Sequence, residues 1–293
     1  MTAREKRKAL HTCFEGGGLI VAPGVFDGIS ARIADSEGFD ALYMTGYGVS
    51  ASYLGLADAG FATLTEMVDR VRHLVDVTET PLIADADTGY GGALNVRHTV
   101  RYYEAAGAAG IQLEDQEFPK KCGHTLGRRV IPMEDMVTKI KVAVDSREDE
   151  NLLIVARTDA RTTHGLDEAL RRAGAFLAAG ADVLFVESPE SEAEMARICA
   201  EFDAPCLANM VEGGRTPVLP AEHLAEIGYR IAIYPATGFL AVGASLSSVY
   251  ATLKRTGGSA EVETPMMAFS DFNTLIGFED VWTFDKIYGN ADE

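Results

Sequence analysis

The sequence predicts an α/β fold, a closed (β/α)8 TIM-type barrel in which eight parallel strands are surrounded by helices. Three observations predict it: eight short apolar runs occur in order, amphipathic helical segments alternate with them, and several helices end at a glycine. The glycines after Ala106, Ala179 and Ile227 suit the left-handed residue that ends a helix before the chain re-enters a sheet. Strict alternation with continuous apolar strands indicates a parallel sheet, and eight units favour closure.

Each element of the repeat can be placed along the chain. We expect strands, in order, at Leu19–Val25, Ala41–Thr45, Pro81–Asp85, Gly110–Glu114, Leu152–Arg157, Val183–Glu187, Cys206–Met210 and Ile231–Tyr234. The expected helices are Gly28–Glu37, Leu64–Asp76, Asn95–Ala106, Pro132–Asp145, Leu166–Ala179, Glu192–Phe202, Ala221–Ile227 and Phe239–Lys254. A doubly wound open sheet is the alternative fold.

The repeat accounts for most of the chain, so we expect residues 1–293 to form a single barrel domain. Residues 261–293 fall outside the eight units and are expected to be a C-terminal helical extension. Apolar residues recur in this extension and suggest helices that pack on the barrel or on a neighbouring subunit: Met266, Phe269, Phe272, Phe278, Val281, Trp282 and Phe284.

Composition excludes several classes of partner. The formal net charge is −18, which argues against a nucleic acid or an anionic membrane surface, since either needs a basic face. No apolar run approaches the roughly 20 residues of a membrane helix, and Met1–His11 is charged, unlike a signal peptide. The four cysteines show no paired Cys-x-x-Cys spacing, so free thiols in a reducing compartment are expected. We therefore expect a cytoplasmic protein.

Acidic side chains end two of the predicted strands. Asp85 and Asp87 end one with period-two spacing, which could turn both to the same side, and Glu114 ends the next strand. Adjacent ionised carboxylates repel each other unless a cation lies between them, and Mg²⁺ suits a site of few carboxylates and several waters. A metal site that also includes Asp58 is one interpretation. The other is that these acids cap helices or occupy turns.

A thiol, an imidazole and two ammonium groups lie together in the cysteine loop, Lys120–His124. We expect Lys121 and His124 to lower the pKa of the Cys122 thiol, and Gly123 to permit a close backbone approach. Such a thiol would be a proton donor near the predicted acids. The alternative is an incidental cysteine beside a surface histidine.

Further polar groups follow other strands. Arg157 could pair structurally with Asp159 or Glu187, but its guanidinium also has the shape that binds a substrate carboxylate. Asn209 and the Thr45-Gly46-Tyr47 turn could add neutral hydrogen-bond donors. Residues at the carboxyl ends of barrel strands line the active-site face, so these side chains are expected to converge.

These segments carry a resemblance to a known family. Over residues 10–290 the chain is similar to the isocitrate lyase and phosphoenolpyruvate mutase superfamily, through the cysteine loop and through Thr45–Ala51, Asp85–Gly91, Leu113–Gln116, Ala156–Arg161 and Ala208–Gly214. The resemblance implies a magnesium-dependent barrel, with Mn²⁺ as the alternative ion. It also implies a homo-oligomer, commonly a tetramer, in which the last barrel helix is exchanged between paired subunits as a dimer of helix-swapped dimers.

Within that superfamily, the resemblance favours a carbon–carbon lyase. Members that cleave 2-hydroxy dicarboxylates carry the cysteine loop, whereas phosphonopyruvate-forming mutases generally carry a lysine-asparagine-serine pattern there. Methylisocitrate lyases usually have an arginine just after the segment matching Tyr234-Pro235, to hold a third carboxylate, and this chain has Leu240. A 2-alkylmalate-type substrate is therefore implied. Oxaloacetate hydrolase, methylisocitrate lyase, carboxyphosphonoenolpyruvate mutase and a non-enzymatic binding barrel are the alternatives.

The residues and the resemblance together predict a site in three parts. The predicted catalytic residues are Cys122, Lys121, His124, Glu114 and Arg157. The predicted substrate-binding residues are Tyr43, Thr45, Gly46, Tyr47, Gly123, Arg157, Glu187, Asn209 and Thr237. The predicted metal ligands, direct or through water, are Asp85, Asp87, Glu114 and Asp58. In the implied reaction Cys122 protonates an enolate as general acid.

Overall fold

The computed structural model describes residues 1–125 and 127–289, and within them eight parallel strands form one sheet. The strands are β1 (Ile20–Val25), β2 (Leu42–Met44), β3 (Leu82–Asp85), β4 (Gly110–Glu114), β5 (Leu153–Thr158), β6 (Val183–Val186), β7 (Leu207–Asn209) and β8 (Ile231–Tyr234). Their order is β6-β5-β4-β3-β2-β1-β8-β7, and a parallel bridge between Leu184 and Cys206 joins the two outer strands. The sheet is thus a nearly closed barrel.

The predicted (β/α)8 fold is confirmed, and every predicted strand lies within two residues of an observed one. The alternative of a doubly wound open sheet is wrong. Such a sheet reverses its strand order at a switch point, whereas here each strand pairs with its neighbours in sequence and β8 returns to β1.

Helices connect the strands. They are α1 (Ala3–Glu15), α2 (Gly28–Ser36), α3 (Gly46–Val49), α4 (Leu64–Asp76), α5 (Ala93–Ala105), α6 (Met133–Ser146), α7 (Ala160–His164), α8 (Leu166–Ala178), α9 (Glu192–Glu201), α10 (Ala221–Ile227), α11 (Thr237–Thr256), α12 (Phe269–Leu275) and α13 (Phe278–Tyr288). A π-helical turn, Ser50–Leu54, follows α3. Helix α1 was not predicted from the sequence, although Thr2 and Glu5 form a capping box at its start.

The barrel interior is apolar at the amino ends of the strands. Side chains that point inward from most strands form one buried cluster: Ile20, Ala22, Ala41, Tyr43, Ile83, Ala109, Leu153, Val155, Val183, Phe185, Leu207, Ile231 and Ile233. Leu10 of α1 belongs to the same cluster, so α1 covers this end of the barrel. The carboxyl ends of the strands are left for polar side chains.

The structure divides the chain into two compact units, one of Met1–Gly238 and one that begins at Phe239. The second unit contains most of α11 together with α12 and α13, and none of these helices has a buried residue. The extension predicted from residue 261 lies within this unit, and residues 290–293 lie outside the described residues. Among the helices that are described, none is long and apolar enough to cross a lipid bilayer.

Candidate active site

Three carboxylates lie together at the carboxyl ends of β3 and β4. Asp85 ends β3 and Glu114 ends β4, and Asp85, Asp87 and Glu114 are only 7%, 6% and 1% exposed. Asp87 lies beyond the strand in a left-handed conformation (φ 47°), and its N–H donates to Asp85 Oδ1 at 3.0 Å. The turn therefore brings the two aspartates together, and not the strand alternation that the sequence suggested.

The environment of this cluster disfavours negative charge. Burial raises the pKa of Asp85, Asp87 and Glu114, nearby carboxylates add to the rise, and nearby cations oppose it; the resulting pKa of Asp87 is about 7. Glu114 Oε1 is buried without a hydrogen-bond partner among the described residues. A cation next to the cluster would therefore stabilise its ionised form.

Lys120 is the cation that the chain itself supplies. Its ammonium lies 2.5 Å from Asp87 Oδ1 and also pairs with Asp58, and the side chain is only 3% exposed. Burial alone would lower the pKa of Lys120, but the carboxylates of Asp87 and Asp58 raise it well above its usual value. The lysine therefore stays charged.

Lys121, the lysine predicted to be catalytic, points away from the carboxylate cluster. Its residue is exposed, and Nζ lies 3.3 Å from the carbonyl oxygen of Gly127. The neighbouring lysines thus face opposite sides of the cysteine loop, and Lys120 enters the carboxylate cluster.

The donor set at the carboxylate cluster fits Mg²⁺ bound partly through water. Asp85, Asp87 and Glu114 offer hard oxygen donors, and the unpartnered Glu114 Oε1 is free to accept from a metal-bound water. Within the described residues no three Asp, Glu, His or Cys side chains are close enough to ligate one ion directly. Mg²⁺ commonly takes one or two carboxylates and keeps several waters. The metal assignment remains a prediction.

Arg157 lies beside this cluster in an ion-pair network. Arg157 lies next to the last residue of β5, and the carboxylate of Asp159, just after the strand, accepts two hydrogen bonds of 2.9 Å from its guanidinium. Glu187 and Glu114 lie 3.2 and 3.5 Å away. Arg128 adds a second cation 2.6 Å from Asp159, and although burial opposes it, Arg157 and Arg128 lower the pKa of Asp159. The structural pairings expected from the sequence are present, and substrate binding by Arg157 stays a prediction.

His124, Glu187 and Asn209 form the next part of the site. Asn209 Nδ2 donates to Glu187 Oε2 at 3.0 Å and lies 3.3 Å from His124 Nε2. The N–H of Arg215 donates to His124 Nδ1 at 3.2 Å. Burial lowers the pKa of His124, so the imidazole is neutral at neutral pH.

Cys122 is half-buried, and its electrostatics differ from the prediction. Burial raises the pKa of its thiol to about 11. The expected net lowering of the Cys122 pKa is wrong: burial outweighs the lowering by the His124 backbone, the Lys121 ammonium faces Gly127, and the His124 imidazole is neutral. The Cys122 thiol therefore keeps its proton at neutral pH, as a proton donor requires.

Gly123 permits the loop to approach the ion-pair network. A Cβ at this position would overlap the Arg157 guanidinium and lie 2.6 Å from Glu187 Oε2, well inside normal contact distance. The carbonyl oxygen of Gly123 accepts from Ser188 Oγ at 3.0 Å. The expected close approach at Gly123 is thus present.

The turn after β2 reaches the same cluster. Thr45 is buried and caps α3, accepting from the N–H of Gly48 at 3.3 Å. A Cβ on Gly46 would lie 2.6 Å from Asp85 Oδ2, so the backbone passes directly over that carboxylate. Tyr47 is 39% exposed. Their binding roles remain predictions.

Tyr43 and Thr237 complete the predicted set. The Tyr43 hydroxyl donates to Gln112 Oε1 at 2.6 Å, and Gln112 Nε2 lies 3.3 Å from Asp85 Oδ1, so Tyr43 supports Asp85 from within the barrel. Thr237, at the start of α11, donates to Glu212 at 2.6 Å.

Sequence reasoning missed several residues of the site. Lys120 was predicted as one of the two ammonium groups of the cysteine loop but not as a site residue, and Gln112 was not predicted. A signal for Gln112 was available, since it is a polar residue in the middle of an apolar strand.

Buried acids, a paired lysine and a protonated thiol at the carboxyl end of a (β/α)8 barrel form the candidate active site of an enzyme. The chain belongs to the phosphoenolpyruvate phosphomutase family, whose model matches residues 8–254, and thus to the wider isocitrate lyase superfamily. The expectation of an enzyme of this superfamily is confirmed.

Comparison with individual proteins supports this assignment. The chain is 50% identical over 290 residues to a 2,3-dimethylmalate lyase from Eubacterium barkeri, covering 99% of each chain. A crystal structure of a 2,3-dimethylmalate lyase is similar with a TM-score of 0.91 at 38% identity, covering 100% of this chain and 97% of the other. An oxaloacetate acetylhydrolase bound to 3,3-difluorooxalacetate gives a TM-score of 0.92 at 34% identity, covering 100% and 99%.

Proposed function

We propose that this protein is a Mg²⁺-dependent carbon–carbon lyase that cleaves a 2-hydroxy dicarboxylate of the 2-alkylmalate type into a 2-oxo acid and a carboxylate. The observation that carries the proposal is the position of Cys122, a thiol with a raised pKa on the same loop as Lys120, whose ammonium enters the carboxylate cluster. The name of the 50% identical relative, 2,3-dimethylmalate lyase, supports the reaction class.

The carboxylate cluster would hold the ion. Asp85, Asp87 and Glu114 are the proposed ligands, direct or through water, with Mn²⁺ as the alternative ion. When bound, the ion supplies Lewis-acid polarisation of the substrate's C1 carboxylate and C2 oxygen. Asp58 contributes through Lys120, with which it pairs.

The protein's own residues carry out the separate steps of the reaction. A base removes the proton of the C2 hydroxyl, the C2–C3 bond breaks, and its electron pair forms an enolate on the departing carboxylate. Arg157 and Asn209 stabilise the carboxylate charge, and the Cys122 thiol transfers its proton to the enolate carbon. The neutral His124 beside Asn209 adds no positive charge that would remove that proton early.

The sequence and the relatives reduce the number of candidate substrates. Leu240 stands where the resemblance places the arginine of methylisocitrate lyases, which disfavours a third carboxylate. A second candidate is hydrolysis of oxaloacetate, favoured by the TM-score of 0.92 to oxaloacetate acetylhydrolase. An apolar pocket separates substrates that differ by one methylene by only about 1–3 kcal/mol, so related alkylmalates are expected to compete.

Assembly is part of the proposal. Large apolar side chains of the second unit are exposed in the single chain, among them Phe269 at 81% and Ile287 at 64%. Apolar surface of this kind marks a subunit contact. We expect a dimer of helix-swapped dimers. The molecular mass of the assembly in solution tests whether four subunits associate.

A proton-NMR assay tests the reaction. The purified protein with Mg²⁺ would be given oxaloacetate, 2-methylmalate, 2,3-dimethylmalate and 2-methylisocitrate in turn. Pyruvate with propionate from 2,3-dimethylmalate is expected. Oxalate with acetate from oxaloacetate would move the assignment to a hydrolase, and no reaction with any of the four would contradict the proposal and favour phosphonate chemistry.

A further inference from the structure

We infer that Gln116 is a positioning residue that sets the register of the cysteine loop, so that Lys120 and Cys122 face the active site and Lys121 faces outward. Gln116 follows β4 and is 1% exposed. Its Oε1 accepts from the N–H of Lys121 at 3.0 Å, and its Nε2 donates to the carbonyl oxygen of the same residue at 2.7 Å. One side-chain amide thus holds both polar groups of one loop residue.

This pairing imitates a β-ladder. In an antiparallel pair, a residue exchanges both its N–H and C=O bonds with the residue opposite, and here the Gln116 amide replaces that residue. Side chains on either side of a residue held in this way turn to the opposite face. Lys120 is accordingly 3% exposed and Cys122 half-buried, whereas Lys121 is exposed.

The backbone of Gln116 is itself fixed. It forms an antiparallel bridge with Val130, and the N–H of Glu117 donates to the carbonyl oxygen of Arg129 at 2.8 Å. The two ends of the segment between β4 and α6 are therefore held together by hydrogen bonds at the rim of the barrel. The amide of Gln116 extends from this base to the middle of the loop.

Other contacts hold the loop on either side of Lys121. Lys120 pairs with Asp58 and Asp87, and the N–H of Cys122 donates to the carbonyl oxygen of Asp58 at 3.2 Å. Those contacts form only in the observed register. A shift by one residue would exchange the inward and outward faces, placing Lys121 in the cluster and turning Cys122 away. Gln116 holds the residue whose orientation distinguishes the two registers.

Thiol labelling tests the inference without a substrate. Gln116→Leu removes both hydrogen bonds while keeping the side-chain size. We expect iodoacetamide to label Cys122, quantified by mass spectrometry of its peptide, on the order of tenfold faster than in the wild type, because the loop opens more often. Cys206, 1% exposed in the barrel wall, stays unlabelled in the same sample and reports that the fold is intact.

Glu117→Gln is the matched control, since its carboxylate is half-exposed and pairs with Arg129 at the protein surface. We expect its Cys122 labelling to equal that of the wild type. Unchanged labelling of Cys122 in Gln116→Leu would overturn the inference. If Gln116→Leu also exposes Cys206, Gln116→Glu decides, because it keeps the acceptor for the Lys121 N–H while a carboxylate oxygen, which cannot donate to the Lys121 carbonyl, replaces the amide nitrogen.

In Gln116→Glu we expect a rise in Cys122 labelling with Cys206 protected, and no rise would overturn the inference. The kinetic consequence rests on the proposed function: kcat falls in Gln116→Leu because the proton donor is displaced. The labelling result does not depend on the reaction, so loss of the lyase assignment and loss of the positioning role are separate outcomes.

Discussion

The ammonium of Lys120 lies 2.5 Å from Oδ1 of Asp87, which joins the cysteine loop to the turn after β3 through a buried ion pair. The same ammonium pairs with Asp58. The lysine that anchors the cysteine loop is therefore also the cation that faces the carboxylate cluster. Removal of either partner leaves the other charge buried and unpaired.

Lys120→Met is expected to lower the free energy of unfolding by about 3–5 kcal/mol, because it leaves Asp58 and Asp87 without their cation. Urea unfolding followed by circular dichroism measures the change. Added Mg²⁺ should recover part of the loss. Lys121→Met is the control, with an expected change within about 0.5 kcal/mol for an exposed side chain. Equal stabilities of the two variants would contradict the role given to Lys120.

Cys122→Ser is expected to lower kcat by roughly 10²-fold while KM changes little, because the hydroxyl is a far weaker proton donor in the same position. Steady-state kinetics on the substrate found by NMR measures both constants. Cys199→Ser is the control, since Cys199 lies in α9, outside the site. Full activity of Cys122→Ser would remove this thiol from the mechanism.

The pKa of Cys122, raised to about 11 by burial, predicts how its reactivity depends on pH. A raised thiol pKa means that the reactive thiolate is scarce at neutral pH and becomes more abundant as the pH rises toward 11. Labelling of Cys122 by iodoacetamide should therefore keep accelerating from pH 7 to pH 10. An ordinary thiol has a pKa of about 8.5 and would level off above it. A plateau near pH 9 would contradict the assigned environment.

Gly123→Ala is expected to displace the cysteine loop, because the new Cβ would overlap the Arg157 guanidinium. Arg157 cannot withdraw easily, since Asp159 binds it through two hydrogen bonds. We expect kcat to fall by about tenfold or more, the range caused by misplacing a catalytic group. Gly28→Ala is the control, because its Cβ would meet open space. Equal activity of the two variants would show that the loop lies further from Arg157.

The strands could be predicted from the sequence because their apolar runs are local and continuous. The polar site was predicted less completely. Asp87 was placed correctly near Asp85, but for the wrong reason, since a left-handed residue and not strand alternation brings it there. The Cys122 pKa was predicted to be lowered but is raised, because burial of a thiol depends on residues far away in the sequence.

The sequence by itself determined the (β/α)8 fold, the superfamily and the strand ends at which polar groups gather, because these depend on local periodicity and short motifs. Only the tertiary structure decided that Lys120, and not Lys121, enters the carboxylate cluster. The two lysines are chemically identical neighbours. Their difference arises from the Gln116 amide and from Asp58 and Asp87, which the folded barrel brings to the loop from other elements.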